Sequence, residues 1–298
     1  MLGRRQGGAA MTPGEIVVGT DGSPHGTTAV RWAAGAAERG RRPLRVVVAC
    51  HWQVPGRWYG TVGELTAAAD ERSGGIATDA VAVARAAAPH VEVDCSVLLG
   101  EPAPVLLKVA EEASLLVVGH RGRGGFGGLL LGSVGMQVAT HAHCPVAVVR
   151  GRSENVFGPV VVGVDTMHPT DSAIGLAFEQ AAERHCPLHA ITAHAVPLPP
   201  TPIGIPPVTY EPERVRDEQR RQLAQQLAGW CTKYPDVAAE CEAVDGGPGA
   251  VLVDRSQGAQ LVVVGTRTQS GLRGMLLGSV GLHLLHHAGC PVLIARTR

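Results

Sequence analysis

The chain is written twice. Val18-Gly19-Thr20-Asp21 aligns with Val162-Gly163-Val164-Asp165, and Pro43-Leu44 with Pro187-Leu188, at a separation of 144 residues. Further along, Gly100, Pro102, Gly119 and Cys144-Pro145 return as Gly246, Pro248, Gly265 and Cys290-Pro291, now 146 residues apart. A repeat of that length is a domain rather than a solenoid unit. The 298 residues suffice for two domains that each bury a core. The expected organisation is a disordered tail at 1–14, with Met11 an alternative start, then domains at 15–150 and 159–296. Arg150 to Phe157 is the linker between them.

Within each copy, apolar β-branched runs alternate with helix-like segments. The first copy predicts strands at Ile16–Thr20, Leu44–Ala49, Val91–Leu98, Leu115–Val118 and Val146–Val149. Helices are expected near His25–Arg39, Ile76–Ala88 and Pro104–Ala113, and from Ser133. Such runs read as a parallel sheet covered on both faces, and five strands fit a doubly wound α/β domain with ligands at the carboxyl ends of its strands. Aromatic residues make up only 3 % of the chain against 45 % hydrophobic, so alanine, valine and leucine fill the core. The second copy differs mainly at Pro197–Tyr210, a proline-rich stretch expected to be an ordered loop or lid.

The formal net charge is zero, which gives no bulk attraction to nucleic acid or to a membrane surface. No run is long enough to span a bilayer, and the N-terminus lacks the apolar segment of a secretory signal. Seven cysteines without a C-x-x-C pair read as reduced cysteine in a cytoplasmic protein, with no disulfides expected.

The chemistry concentrates after the fourth strand of each copy. Gly119-His120-Arg121-Gly122, nine residues, then Gly132-Ser133 recurs as Gly265-Thr266-Arg267-Thr268, nine residues, then Gly278-Ser279. Glycine permits close backbone approach to an anion, and a helix opening at Ser133 presents unpaired N–H groups to it. Arg121 and Arg123 add positive charge, and neither Asp nor Glu occurs between Glu112 and Glu154 or after Asp254. The competing reading is a turn that binds nothing. Neither lysine, Lys108 nor Lys233, follows the glycines that a G-x-x-x-x-G-K-[ST] loop requires. Gly122-x-Gly124-x-x-Gly127 has the form of a dinucleotide fingerprint but follows the wrong strand and lacks the later acid, so it is rejected.

Asp21 and Asp165 sit at the carboxyl ends of the first strands, where a carboxylate serves either a ligand or the N-cap of the next helix. Ala49-Cys50-His51 and Ala193-His194-Ala195 are expected after the second strands, beside the same cleft. His141, His143 and Cys144, like His286, His287 and Cys290, keep no common spacing, so no metal site is assigned. No nucleophilic or acid–base team recurs in both copies.

These motifs together, G-x-x-G-x9-G-[ST] after the fourth strand and V-G-x-D at the end of the first, resemble the universal stress protein family. The resemblance covers nearly the whole chain and is closest to tandem-domain, ATP-binding members. It implies two Rossmann-like (adenine nucleotide alpha hydrolase-like) domains, each a five-stranded parallel sheet of order 3-2-1-4-5 with helices on both faces. It further implies ATP, with Mg2+, bound between strands one and four. Carried over, Gly19 and Asp21 meet the adenosine, while Gly119, His120, Arg121, Gly122, Arg123, Gly132, Ser133 and Val134 hold the phosphates. His51 falls beside the adenine, where the family often has a small apolar residue. In the second copy Gly163, Asp165, Ala195, Gly265, Thr266, Arg267, Gly278, Ser279 and Val280 take the corresponding places. Thr268 breaks the pattern: its branched Cβ opposes close approach and positive φ, although its hydroxyl could donate. Weaker or altered binding is expected in the second copy. The resemblance also implies that the fifth strands pair and that the protein forms a homodimer.

The expected function is nucleotide-dependent regulation of an unidentified protein partner during stress, not robust catalysis. The alternatives are a slow ATPase or nucleotidyl or phosphoryl transferase, and a scaffold in which nucleotide is structural. The cradle's lack of lysine and of a recurring base favours regulation.

Overall fold

The computed structural model describes residues 14–50, 62–123, 131–168, 171–194, 212–268 and 275–296. The expected tail, His51, Ala195 and the stretch at Pro197–Tyr210 therefore lie outside the described residues.

The first unit runs β1 (Ile16–Gly19), α1 (Pro24–Gly40), β2 (Leu44–Cys50), α2 (Val62–Ala87), β3 (Val93–Leu99), α3 (Pro102–Val109), β4 (Leu115–Gly119), α4 (Ser133–His141) and β5 (Val146–Val149). Its strands lie in the order 3-2-1-4-5. Ile16 sits opposite Leu44 on one side and Leu115 on the other, all parallel. Every residue of β1 and β5 is buried, so both faces of this sheet are covered, as the uninterrupted valine runs required. α1 packs beside α2, and α3 beside α4. The chain winds outward from β1 in both directions, which leaves a crevice between the carboxyl ends of β1 and β4.

The second unit repeats the plan: β6 (Val160–Gly163), α5 (Asp171–Arg184), β7 (Leu188–His194), α6 (Pro212–Lys233), β8 (Ala239–Asp245), α7 (Pro248–Ser256), β9 (Leu261–Gly265), α8 (Ser279–His287) and β12 (Val292–Ala295). Between β9 and α8 the chain also carries β10 (Arg267–Thr268) and β11 (Met275–Leu276). The order is β8-β7-β6-β9-β12, again parallel, and β10 pairs with β11 in a separate ladder.

Several boundaries differ from the sequence reading, each for a local reason. α1 starts at Pro24 because Ser23 caps it: the Ser23 hydroxyl accepts the Gly26 N–H at 3.1 Å, and Pro24 fits the first turn. α3 starts at Pro102 by the same preference for proline at a helix start. α2 is longer than expected, opening at Val62. β2 and β7 continue through Cys50 and His194, so these residues end strands rather than follow them. Gly100 and Gly246 follow the third strands at φ +142° and +145°, a conformation that explains why both copies keep glycine there. Among the described residues, no helix is long and apolar enough to cross a membrane.

Candidate functional site

In the first unit the end of β4 lies against α1, and the end of β1 against α3, at places where only glycine leaves room. A Cβ on Gly119 would lie 2.7 Å from the His25 carbonyl oxygen, in the first turn of α1. A Cβ on Gly19 would lie 2.6 Å from Leu106 Cδ1, so α3 seats a leucine against the last residue of β1. The second unit copies this contact: a Cβ on Gly163 would meet Leu252 Cδ1 at 2.6 Å.

Asp21 occupies the turn between β1 and α1. It is not the helix cap. Its Oδ1 accepts the Ser23 N–H at 3.0 Å, while Oδ2 reaches across the crevice to accept the Arg123 N–H at 2.7 Å. Gly122 makes that reach possible, because a Cβ there would stand 2.7 Å from Asp21 Oδ2. Burial alone would push the Asp21 carboxyl upward. The hydrogen bonds from the Ser23 hydroxyl, the Ser23 N–H and the Arg123 N–H outweigh it and hold the group below the ordinary carboxylate range.

The glycine turn closes on itself. Gly132 N–H donates to the His120 carbonyl at 2.8 Å, and a Cβ on Gly132 would lie 3.6 Å from the Arg121 Cα. α4 then begins without a side-chain cap, and its first internal bond is Met136 N–H to the Gly132 carbonyl at 3.0 Å. The N–H groups of Ser133 and Val134 therefore have no partner within the helix. Ser133 is exposed and Val134 half-buried, which puts this helix start at the surface of the crevice. Arg121 Nε is buried and has no hydrogen-bond partner. The structure thus brings together Gly19, Asp21, Gly119, His120, Arg121, Gly122, Arg123, Gly132, Ser133 and Val134. Gly124, Gly125, Gly127 and Gly128 lie outside the described residues.

His120 has a second role that its place in the motif did not reveal. Its ring Nδ1 lies 3.2 Å from the Val149 carbonyl, which only accepts, so Nδ1 carries the proton. Its centroid is 4.2 Å from that of His25. Burial, then the His25, Arg150 and Arg121 charges, drive its pKa down to about 4 despite the Val149 bond, so the ring is neutral at physiological pH.

The second unit departs from the first at three matched places. Thr266, in the place of His120, is buried and donates its hydroxyl to the Ala295 carbonyl at 3.5 Å, the counterpart of Val149. Asp165 is exposed. Its Oδ1 accepts the Met167 and His168 N–H groups at 3.1 and 3.3 Å, and the His168 ring stands 3.6 Å from Oδ2. Thr268, in the place of Gly122, lies in the short β10–β11 ladder. Gly265 ends β9, and Gly278, Ser279 and Val280 open α8 as their counterparts open α4.

One cluster was not anticipated. At the ends of β7 and β8, His194 Nε2 lies 3.2 Å from Asp245 Oδ1, and Arg216 of α6 lies 3.5 Å from Asp245 Oδ2. The first unit has Cys50 and Leu99 at those two strand ends. The repeat offset could have shown the difference, but neither pair forms a motif within its own copy.

The comparisons agree with this architecture. The model of the Universal stress protein family matches residues 14–150 and 157–296. Universal stress protein Rv1996 of Mycobacterium tuberculosis is 35 % identical, covering 94 % of each chain. Universal stress protein Rv2623 of the same organism is 36 % identical, covering 94 % of this chain and 96 % of the relative. A crystal structure of a universal stress protein from Archaeoglobus fulgidus shares the fold at a TM-score of 0.71 and 16 % identity, covering 95 % of this chain and 98 % of that one. Two glycine-turn clefts on two doubly wound units, matched by the family model over both, place this chain in the universal stress protein family.

Proposed function

We propose that the first unit binds an adenine nucleotide, ATP carried with Mg2+, and that the protein acts as a nucleotide-dependent regulator in the stress response. The observation that carries this reading is the set of donors at the open end of the first unit's crevice. Arg121 Nε is buried without a partner, the glycine turn already offers one main-chain N–H, that of Arg123, to a carboxylate, and α4 starts without a side-chain cap. Anions suit such a place, because helix N-terminal N–H groups and a guanidinium both favour negative charge.

Arg121, Arg123 and the N–H groups of Ser133 and Val134 would hold the phosphates. Asp21 has lone pairs left for a ribose hydroxyl, since an ionised carboxylate accepts about four hydrogen bonds. The triphosphate supplies charge and a metal-binding chelate. A magnesium ion arriving with the triphosphate would take its oxygen ligands from the phosphates and from water, the hard donors it prefers. The cradle has no lysine, and His120 gives way to Thr266 in the second copy, so binding rather than turnover is the better use of this geometry. A regulator of this type works by binding one conformation more tightly than another, and a protein partner then reads the difference.

Mass spectrometry of small molecules released from gently purified protein is the first test, and adenine nucleotide is the expected finding. Incubation with excess ATP is the second. Many turnovers per site, abolished by Gly122→Glu, would replace the regulator with an enzyme. A partner captured equally well with and without nucleotide would replace it with a scaffold.

A further inference from the structure

The bond between Asp21 and Arg123 joins the two halves of the crevice before any ligand arrives. Arg123 N–H is a donor on the glycine turn, of the kind that cradles a phosphate, yet it points at a carboxylate of the protein itself. The contact is short, 2.7 Å, and the carboxylate is fixed from behind by the Ser23 N–H at 3.0 Å. Ser23 in turn caps α1, so strand end, helix start and glycine turn form one connected set of hydrogen bonds. Gly122 is the residue that makes room, because a Cβ there would press on Asp21 Oδ2.

We infer that Asp21 is a positioning residue that latches the glycine turn through the Arg123 main chain, and that Gly122 is required for the latch rather than for positive φ. The latch pre-shapes the first unit's cleft. Pre-organisation of this kind raises affinity by removing an ordering cost from binding. It also explains the asymmetry between the copies. In the second copy of the sequence Thr268 stands in Gly122's place, and a Cβ of any kind at Gly122 itself would have no room beside Asp21 Oδ2. Asp165 closes a turn on Met167 and His168 instead, and the Thr268 backbone enters the short pairing of β10 with β11. The two matched aspartates thus do different work. Only the consequence for affinity rests on the nucleotide reading; the latch belongs to the ligand-free protein.

Amide hydrogen exchange on the full 15N-labelled chain, without nucleotide, tests it. The Arg123 amide in the parent protein is expected to exchange at least about tenfold slower than an open amide, the worth of one net hydrogen bond. Asp21→Ala and Gly122→Ala should each abolish that protection, with the β4 amides of Leu116 to Val118 unchanged as the control for folding. Gly122→Ala retains the carboxylate and decides the matter if Asp21→Ala does not fold. An Arg123 amide that is open in the parent, or equally protected in Gly122→Ala, overturns the latch. ATP titration of the same samples separates the two claims. Protection without nucleotide binding leaves the latch standing and removes the nucleotide reading, and binding without protection does the reverse.

Discussion

The rings of His25 and His120 face each other across the crevice at 4.2 Å, one from the first turn of α1 and the other from the end of β4. Burial and that neighbour hold His120 at about 4, below the ordinary 6.5. Between those values the unfolded chain binds a proton that the folded chain does not, so stability falls as pH drops through this window and the loss levels off below about 4. Urea unfolding across the window should show a shallower decline for His120→Asn than for the parent. Equal slopes would contradict the buried neutral ring.

Asp21 titrates in a separate and lower window. Its carboxyl is depressed by the Ser23 and Arg123 hydrogen bonds, so the stability it contributes is present above the unfolded value of 3.8 and is lost as pH falls through the lower folded value. Acid unfolding of Asp21→Asn should lack this last component, and an acid limb identical to the parent's would argue against a bonded carboxylate.

Gly119→Ala tests the close approach of β4 to α1. The new methyl would lie 2.7 Å from the His25 carbonyl oxygen, and backbone on both sides must shift. A destabilisation of about 1–3 kcal/mol is expected, the usual cost of overpacking. A midpoint in denaturant unchanged from the parent would show that the two elements are not so tightly opposed.

Ser23→Ala removes the hydroxyl that caps α1 and keeps the main-chain N–H that anchors Asp21. The loss of the bond to Gly26 N–H should cost about 1 kcal/mol of unfolding free energy. Circular dichroism melts would check this, and Ser23→Asp, which can still cap, should recover most of it.

Much of this fold could be read from the chain because its signals are local and doubled. The valine runs, the 144- and 146-residue offsets and the glycine turn each carry their own physical reason. Ser23-Pro24 is an equally legible helix start, one residue before the expected His25. The site was legible as a group of residues but not as a set of bonds. Asp21 and Arg123 are 102 residues apart, and nothing in either neighbourhood says that a side chain on one meets the main chain of the other. Thr268 was noticed as a departure, but its meaning depended on knowing what Gly122 faces. His194 is placed beside the cleft by the sequence, but its pairing with Asp245 is not, because the two become neighbours only through the register of β7 with β8.

The two similar domains are expected to bind nucleotide unequally, because Thr268 stands where the first copy has Gly122. Calorimetric titration of the full chain with ATP and Mg2+ tests it most directly, alongside the Thr268→Gly variant. One tight site per parent chain is expected, with any second site at least about tenfold weaker, a difference of roughly 1.4 kcal/mol. Thr268→Gly should narrow that gap. Two equally tight sites in the parent chain would contradict it.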